Sequence, residues 1–370
     1  MSERALKIAV TGTRGIPGIQ GGVETHCERL YPRLAAMGFD VTLYRRKPCV
    51  ASPSAEFAGV KLRDLPAPRR KSLEAILHTV RAILDAGRSG ADIVHIHAVG
   101  PALLTPFARL LGMKVVVTHH GADYERAKWG RVARFMLKIG ERLAARYADA
   151  VIAITPQIAA ALRGEYGCEA MVIPNGVESP QRCEAGNYLR NLGLAPRRYV
   201  VALGRLVPEK NFHLLIDAWR KAAPCGYRLV VAGDADHRDT YAAHLRERAA
   251  EAGVVMPGFV SGRPLCELMS NAALFVMPSA HEGLPIALLE AMSYGLDVLT
   301  SDIPACMLPQ LTPADHFGCG DTDALAAAIT RKLSSPARRS YDLGSYDWNG
   351  IAKATAGVYL RLSIHHGRVR

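Results

Sequence analysis

Two cations sit close together at the end of a strand-like run in "GRLVPEKN", residues 204–211. Gly204 frees the backbone there, Arg205 offers a rigid fork for phosphate oxygens, and Lys210 adds a compact charge about one turn later. Together they could replace a metal ion at a diphosphate leaving group. Eighty residues on, "HEGLPIALLEAMSYG" supplies the complementary chemistry. Pro285 suits the first position of a helix, which leaves Glu282 and Gly283 in the preceding loop, Leu284 at the turn and Glu290 in the second helical turn. The helix amides suit phosphates, and each carboxylate can accept hydrogen bonds from sugar hydroxyls. Pairing of Arg205 or Lys210 with a surface acid such as Glu209 is the ordinary alternative for either cation alone; it weakens once the second motif is added.

Two further stretches sit where a strand passes into a loop. Five glycines (Gly12, Gly15, Gly18, Gly21 and Gly22) fall within eleven residues after the first strand, and the last two open a helix. Backbone there can approach an anion or a sugar closely. The spacing is neither G-x-G-x-x-G nor that of a phosphate loop with its lysine, which disfavours nicotinamide dehydrogenases and P-loop enzymes. "VVVTHHG" delivers His119 and His120 after what reads as the fourth strand. Polar packing and a site are equally good readings of such a pair. Zinc would want further ligands at suitable spacing, which the sequence does not display, and a general base would want a carboxylate, for which Asp123 is the nearest candidate.

These residues need a scaffold of strands and helices. "LKIAVTG", "DVTLYRR", "ADIVHIHA", "MKVVVTHHG", "DAVIAIT" and "AMVIPNG" alternate with amphipathic stretches, and after a polar break near "ESPQRCEAGN" the pattern restarts with "YVVALGR", "YRLVVAGD", "GVVMPGFV", "AALFVMPS" and "LDVLTSD". Two successive runs of βα units predict an α/β protein with two Rossmann-like domains facing each other across a cleft, residues 1–177 and 178–345. A length of 370 residues agrees with two cores. Residues 346–370 read as a C-terminal helix crossing back to the first domain.

Composition narrows the class. No apolar run approaches the ~18–20 residues of a membrane-spanning helix, and the N-terminus lacks the apolar core of a signal peptide, so the expected location is the cytoplasm. Eight cysteines without paired spacing predict reduced, structural thiols. Residues 1–178 hold 25 Lys and Arg against 16 Asp and Glu, an excess of +9, while residues 179–370 hold 21 against 18, an excess of +3. The basic half could face nucleic acid, an anionic membrane or a phosphorylated substrate.

Taken together, "GRLVPEKN", the E-x7-E pair Glu282 and Glu290, "VIPNGV" at the link, "GG-V-E" after the first strand and "THHG" resemble the retaining nucleotide-sugar glycosyltransferases of family 4, with the GT-B fold. The opening "GTRGIPGIQGGVE" and "DYERAKWG" further resemble a subset acting in bacterial capsule, exopolysaccharide and O-antigen assembly, some of them rhamnosyltransferases. The resemblance implies that Arg205 and Lys210 hold the donor diphosphate, Glu290 the ribose and Glu282 the hydroxyls of the transferred sugar. It places His120 at the donor sugar, with His119 as the alternative, and Gly21 and Gly22 near donor phosphates or acceptor. Main chain around Met256 to Val260, including Gly258 and Phe259, would lie near the base. One departure stands out: Leu296 and Asp297 occupy the place of the family's proline after "A-M-x-x-G". Asp297 is expected at the solvent-facing start of its strand.

The implied reaction retains anomeric configuration and needs no protein nucleophile and no cofactor. The donor β-phosphate takes the acceptor proton while Arg205, Lys210 and a helix N-terminus stabilise the leaving group. The D-x-D "DAD" at 234–236 matches an ordinary strand end better than a metal site, so no metal is expected. The implied partners are a nucleotide sugar (UDP-hexose first, dTDP-rhamnose second) and a lipid-linked saccharide acceptor, with no nucleic acid. A GT-B epimerase or phosphorylase and a nucleotide-sugar sensor are the competing classes. Tyr124 to Tyr147, with Arg131, Arg134 and Lys138 beside Trp129, Phe135 and Met136, could meet an anionic inner membrane surface, or could simply pack its apolar face on the sheet.

Overall fold

The computed structural model describes residues 4–50, 53–67, 74–126, 129–235 and 240–364. The chain forms two compact units, Met1–Gly176 with Tyr346–Arg370, and Val177–Ser345.

In the first unit the strands are β1 (Lys7–Thr11), β2 (Asp40–Arg46), β3 (Glu56–Phe57), β4 (Val60–Leu65), β5 (Ile93–His97), β6 (Lys114–His119), β7 (Ala150–Ala153) and β8 (Met171–Val172). They pair in the order β3-β4-β2-β1-β5-β6-β7-β8, parallel throughout except for β3 against β4. Parallel strands are buried on both faces, which is why "KVVVTH" reads as a continuous apolar run rather than an alternation. Alternate side chains still feed separate cores. Ile8 and Val10 join a cluster with Leu30, Leu34, Trp348 and Tyr359, whereas Ala9 joins Tyr44, Ile83, Val94, Ile96, Val115 and Val117. The hairpin β3–β4 escapes a reading by βα repeats, so "THHG" follows the sixth strand rather than the fourth. Ala58 and Gly59 supply its turn with φ of 47° and 82°, as a two-residue hairpin loop requires.

The terminal helix Trp348–Ile364 belongs to this unit and packs on the helix Gly22–Ala36. The link residue Gly176 makes that docking possible, because a Cβ there would lie 2.5 Å from the Trp348 ring.

The second unit holds β9 (Tyr199–Leu203), β10 (Arg228–Ala232), β11 (Leu274–Met277), β12 (Asp297–Ser301) and β13 (His316–Phe317), ordered β10-β9-β11-β12-β13 and all parallel. "GVVMPGFV" does not become a strand. Only Val255 bridges, to Val230, because Pro257 has no N–H to give and Gly258, at φ 79°, turns the chain away.

Asp297 opens β12 but is 5% exposed rather than facing solvent. Its carboxylate meets Lys332 at 2.8 Å and Arg339 at 3.4 Å, and Asp315 meets Lys332 at 2.6 Å, so two acids and two cations neutralise one another inside the fold. Cys183 and Cys266, 83 residues apart, form a disulfide with Cα atoms 5.8 Å apart, where reduced thiols were expected. Their separation carries no sequence signature; the fold brings the post-link segment against the helix Gly262–Asn271.

Candidate active site

In the second unit, β9 ends at Leu203 and passes its carboxyl end to Gly204 and Arg205. A Cβ on Gly204 would stand 3.3 Å from Cε of Lys210 and 3.4 Å from the Phe212 ring, so the missing side chain lets the lysine stem lie over the strand end. Lys210 Nζ donates to Glu282 Oε1 at 2.6 Å, with both side chains mostly buried. The two motifs, 72 positions apart, therefore meet through their charged groups. Glu209 is not the partner: it is buried, and neither carboxylate oxygen has a hydrogen-bond partner. Its main-chain oxygen accepts from Ala280 N at 2.8 Å, a second tie between the loop after β9 and that before Glu282.

The helix of the second motif runs Ile286–Ser293, with Pro285 as its N-cap, one residue outside the position expected. Gly283 precedes it in the loop, Leu284 and Pro285 are buried under it, and Glu290 is half-buried in its second turn. Gly258 accepts through its carbonyl from Gly233 N at 2.8 Å, which sets the loop after β10 beside it and leaves Phe259 45% exposed. Of "DAD", Asp234 bonds Ala235 N at 2.8 Å and pairs with Arg246, while Asp236 lies outside the described residues.

In the first unit, Gly21 caps the helix Gly22–Ala36 at φ 149°, and a Cβ there would meet the Glu24 carboxylate at 2.1 Å. Glu24 folds back to accept from Thr13 Oγ1 at 3.3 Å and from Arg14 N and Nε at 3.1 Å each, tying the glycine-rich loop to the helix start.

The two histidines of "THHG" part company. His119, the last residue of β6, donates through Nε2 to Glu141 Oε1 at 2.7 Å and accepts at Nδ1 from Gly121 N at 3.2 Å. Glu141, not Asp123, is the carboxylate. It also accepts from Tyr166 at 2.9 Å and Tyr124 at 3.3 Å. Burial would raise its pKa, yet the bonds from His119, Tyr166 and Tyr124 outweigh that and hold it below the ordinary value. His119 is thus consumed in packing, and His120 turns toward a cluster of imidazoles.

Sequence reasoning misses that cluster. His95 and His97 share one face of β5 by the period of two, and β5 lies beside β6, so His97 meets His120. His97 Nδ1 and His120 Nε2 are 2.9 Å apart, while Tyr31 Oη bridges His97 Nε2 at 2.5 Å and His95 Nδ1 at 3.0 Å. His26 reaches Asn175 Oδ1 of the link at 3.0 Å. Burial, then neighbouring imidazoles, pushes His97 and His120 well below the ordinary histidine pKa. His26 falls to about 4 and His95 to about 3, again mainly through burial. All four rings are neutral near pH 7, so His120 presents polar nitrogens rather than a cation. "HIH" at a strand end is the signal that could have pointed here.

The helix Arg131–Tyr147 buries only Gly140, Glu141 and Ala144. Arg131, Arg134 and Lys138 are exposed together with Val132 at 78% and Phe135 at 65%, so its first turns do not lay an apolar face on the sheet. Ala127 and Lys128 of the stretch Tyr124 to Tyr147 lie outside the described residues. No described helix is long and apolar enough to cross a membrane.

Residues 20–179 match the family model described as Glycosyltransferase Family 4, and residues 190–345 match Glycosyl transferases group 1. A putative glycosyltransferase EpsF of Bacillus subtilis (strain 168) is 28% identical over 297 residues, 76% of each chain. A GDP-mannose:cellobiosyl-diphosphopolyprenol alpha-mannosyltransferase of Komagataeibacter xylinus is 26% identical over 289 residues, covering 73% of this chain and 71% of that one. Among solved structures, a sucrose-phosphate synthase from Thermosynechococcus elongatus superposes with a TM-score of 0.83 at 22% identity, over 97% of this chain and 100% of that one. Anabaena Alr3699/HepE in complex with UDP and glucose gives 0.77 at 18% identity, over 96% and 100%.

Proposed function

We infer the function from one premise: the chain belongs to glycosyltransferase family 4 and has the GT-B fold. It is a glycosyltransferase of polysaccharide or glycan synthesis. We propose that it is a retaining, metal-independent enzyme that moves a hexose from a nucleotide sugar to a lipid-linked saccharide in bacterial surface polysaccharide assembly. The observation that carries this reading is the 2.6 Å bond between Lys210 and Glu282, which unites the diphosphate motif with the sugar-hydroxyl motif.

In this reading Arg205 and Lys210 neutralise the charge developing on the leaving diphosphate. An ammonium has three hydrogens to donate, so Nζ can keep Glu282 and still meet a phosphate oxygen. Glu282 orients the sugar hydroxyls and Glu290 the ribose. His120, held neutral, hydrogen-bonds the donor sugar without repelling an oxocarbenium-like centre. The acceptor proton passes to the departing phosphate.

A panel of nucleotide sugars, each with and without a polyprenyl-diphosphate saccharide, tests the reading. Acceptor-dependent release of nucleoside diphosphate supports transfer; tight binding without release supports a sensor, and interconversion of donor without acceptor an epimerase. A UDP-hexose is the first choice, in line with the UDP complexes of Alr3699/HepE, and a dTDP-rhamnose the second. GDP-mannose, the donor after which the Komagataeibacter relative is named, is a third arm. That relative's polyprenol acceptor supports a lipid-linked one here.

Glu290→Ala is expected to weaken nucleotide binding about 10- to 100-fold, the range of a hydrogen bond to a charged acceptor. Wild-type affinity by calorimetry would remove the ribose role. Chelator should leave turnover intact, and loss on chelation with recovery on magnesium would refute metal independence.

We place the enzyme in the cytoplasm, docking on the inner face of the membrane through the helix Arg131–Tyr147. Basic residues contribute about 1 kcal/mol each near an anionic leaflet. Reversing Arg131, Arg134 and Lys138 to glutamate should therefore cut binding to anionic vesicles by at least about two orders of magnitude at low salt. Sedimentation unchanged by the reversal rules this face out.

A further inference from the structure

The imidazole cluster has a geometry that hydrogen bonding alone does not use up. His26, His97 and His120 each offer one ring nitrogen, and these atoms lie within 4.8 Å of one another. The ring centroids are 5.0 Å apart for His26 and His120, 5.2 Å for His97 and His120, and 5.5 Å for His26 and His97. A four-coordinate ion with bonds of ~2.0–2.1 Å to three imidazoles would hold the ring centres about 5 Å apart. Nitrogens bound at that length to a tetrahedral ion stand ~3.3 Å apart, so the three must close up from 4.8 Å or less to hold one.

The outer contacts point the same way. His26 Nδ1 is spent on Asn175 Oδ1, while its Nε2 is buried with no hydrogen-bond partner. A buried polar atom in that state costs about 1–3 kcal/mol, which a ligand would relieve. With Nε2–H of His97 given to the Tyr31 hydroxyl, the lone pair of its Nδ1 is left facing His120. Asn175 and Tyr31 thus stand where the partners of metal-bound imidazoles stand, fixing ring orientation and tautomer. His26 is 3% and His97 0% exposed, and half-buried His120 forms the open side. Three neutral nitrogen donors suit Zn2+, Ni2+ or Cu2+ and are poor for Mg2+ and Ca2+, which take oxygen.

We propose that His26, His97 and His120 form a binding site for a borderline divalent cation such as Zn2+, and that filling it withdraws His120 from the donor sugar and inhibits transfer. The inhibitory half rests on the donor-sugar role given to His120 above; the site itself does not. Catalysis needs no metal on this account. The ion ties up a nitrogen that the reaction needs.

The test uses the tag-free full chain and Co2+ alone as probe. One equivalent should give the visible absorption of a four-coordinate nitrogen-bound ion, displaced by Zn2+ and untouched by Mg2+. His26→Gln and His97→Gln should abolish it, Asn175→Ala should weaken binding about 10- to 100-fold, and His244→Gln, on an exposed helix position, should leave it intact. No such spectrum in the wild type, or the same spectrum in His26→Gln, overturns the site. Where the variants do not fold by circular dichroism, X-ray absorption of the Zn2+-loaded wild type decides: imidazole nitrogens support the site and oxygen-only ligation overturns it. Transfer should fall with occupancy and return with chelator, and full turnover at full Co2+ occupancy overturns the inhibitory half. Failure to find any donor would sink the transferase reading while leaving the spectrum as it is.

Discussion

Lys210→Ala and Arg205→Ala should each lower kcat at least tenfold at saturating donor, with the thermal melting of the protein little changed. A charge-assisted contact to a leaving group is worth more than about 1.4 kcal/mol, the equivalent of that factor. The 2.6 Å contact between Lys210 and Glu282 suggests a rival cause, that the lysine merely tethers the acid. Glu282→Gln separates the two. If tethering is all Lys210 does, the double variant Lys210→Ala/Glu282→Gln will be no worse than Glu282→Gln alone. If Lys210 also meets the diphosphate, a further loss appears in kcat rather than in KM. A folded Lys210→Ala enzyme with wild-type kcat would end the leaving-group assignment.

Asp315→Ala should destabilise the unit Val177–Ser345 by about 3–5 kcal/mol, because it strips a buried acid from cations that stay behind. Asp315 is 1% exposed and accepts from Lys332 at 2.6 Å, from Thr312 N at 2.8 Å and Thr312 Oγ1 at 2.9 Å, and from Arg339. Burial would raise its pKa, but these partners prevail and lower it to about 2. The folded value lies below the unfolded one of about 3.9, so the stabilisation is complete above pH ~4 and is lost as pH falls toward 2. The carboxyl alone accounts for on the order of 2 kcal/mol of that acid sensitivity. Urea unfolding of the variant at pH 7, and of the wild type between pH 5 and 2, measures both. A change under 0.5 kcal/mol, about what an ordinary surface substitution produces, would show that the network contributes nothing.

The two charged motifs are readable because their information is local. Arg205 follows a strand, Glu282 precedes a helix and Glu290 lies one turn inside it; each placement depends on a few neighbouring residues whose periodicity and backbone preferences are visible in one dimension. The helix start differs by one position only, since proline serves equally before the first turn and in it. The two runs of strands are legible for the same reason, as continuous apolar segments. The hairpin at Phe57 and the failed strand at Pro257 escape where a turn residue or an absent N–H overrides the apolar pattern.

Pairings across long separations are not readable. Which residue types stand at the carboxyl ends of the strands, and hence the class of chemistry, follows from linear order alone. The choice of partner belongs to the packed fold: Lys210 takes Glu282 rather than Glu209, His119 is absorbed by Glu141, His120 joins His97 and His26, Asp297 is buried with Lys332, and Cys183 bonds Cys266. Each of these partners comes from a different element, brought near by sheet order and helix packing. A charge or an imidazole carries no directional preference along the chain, so its partner is whichever group the packed core leaves within a few ångströms.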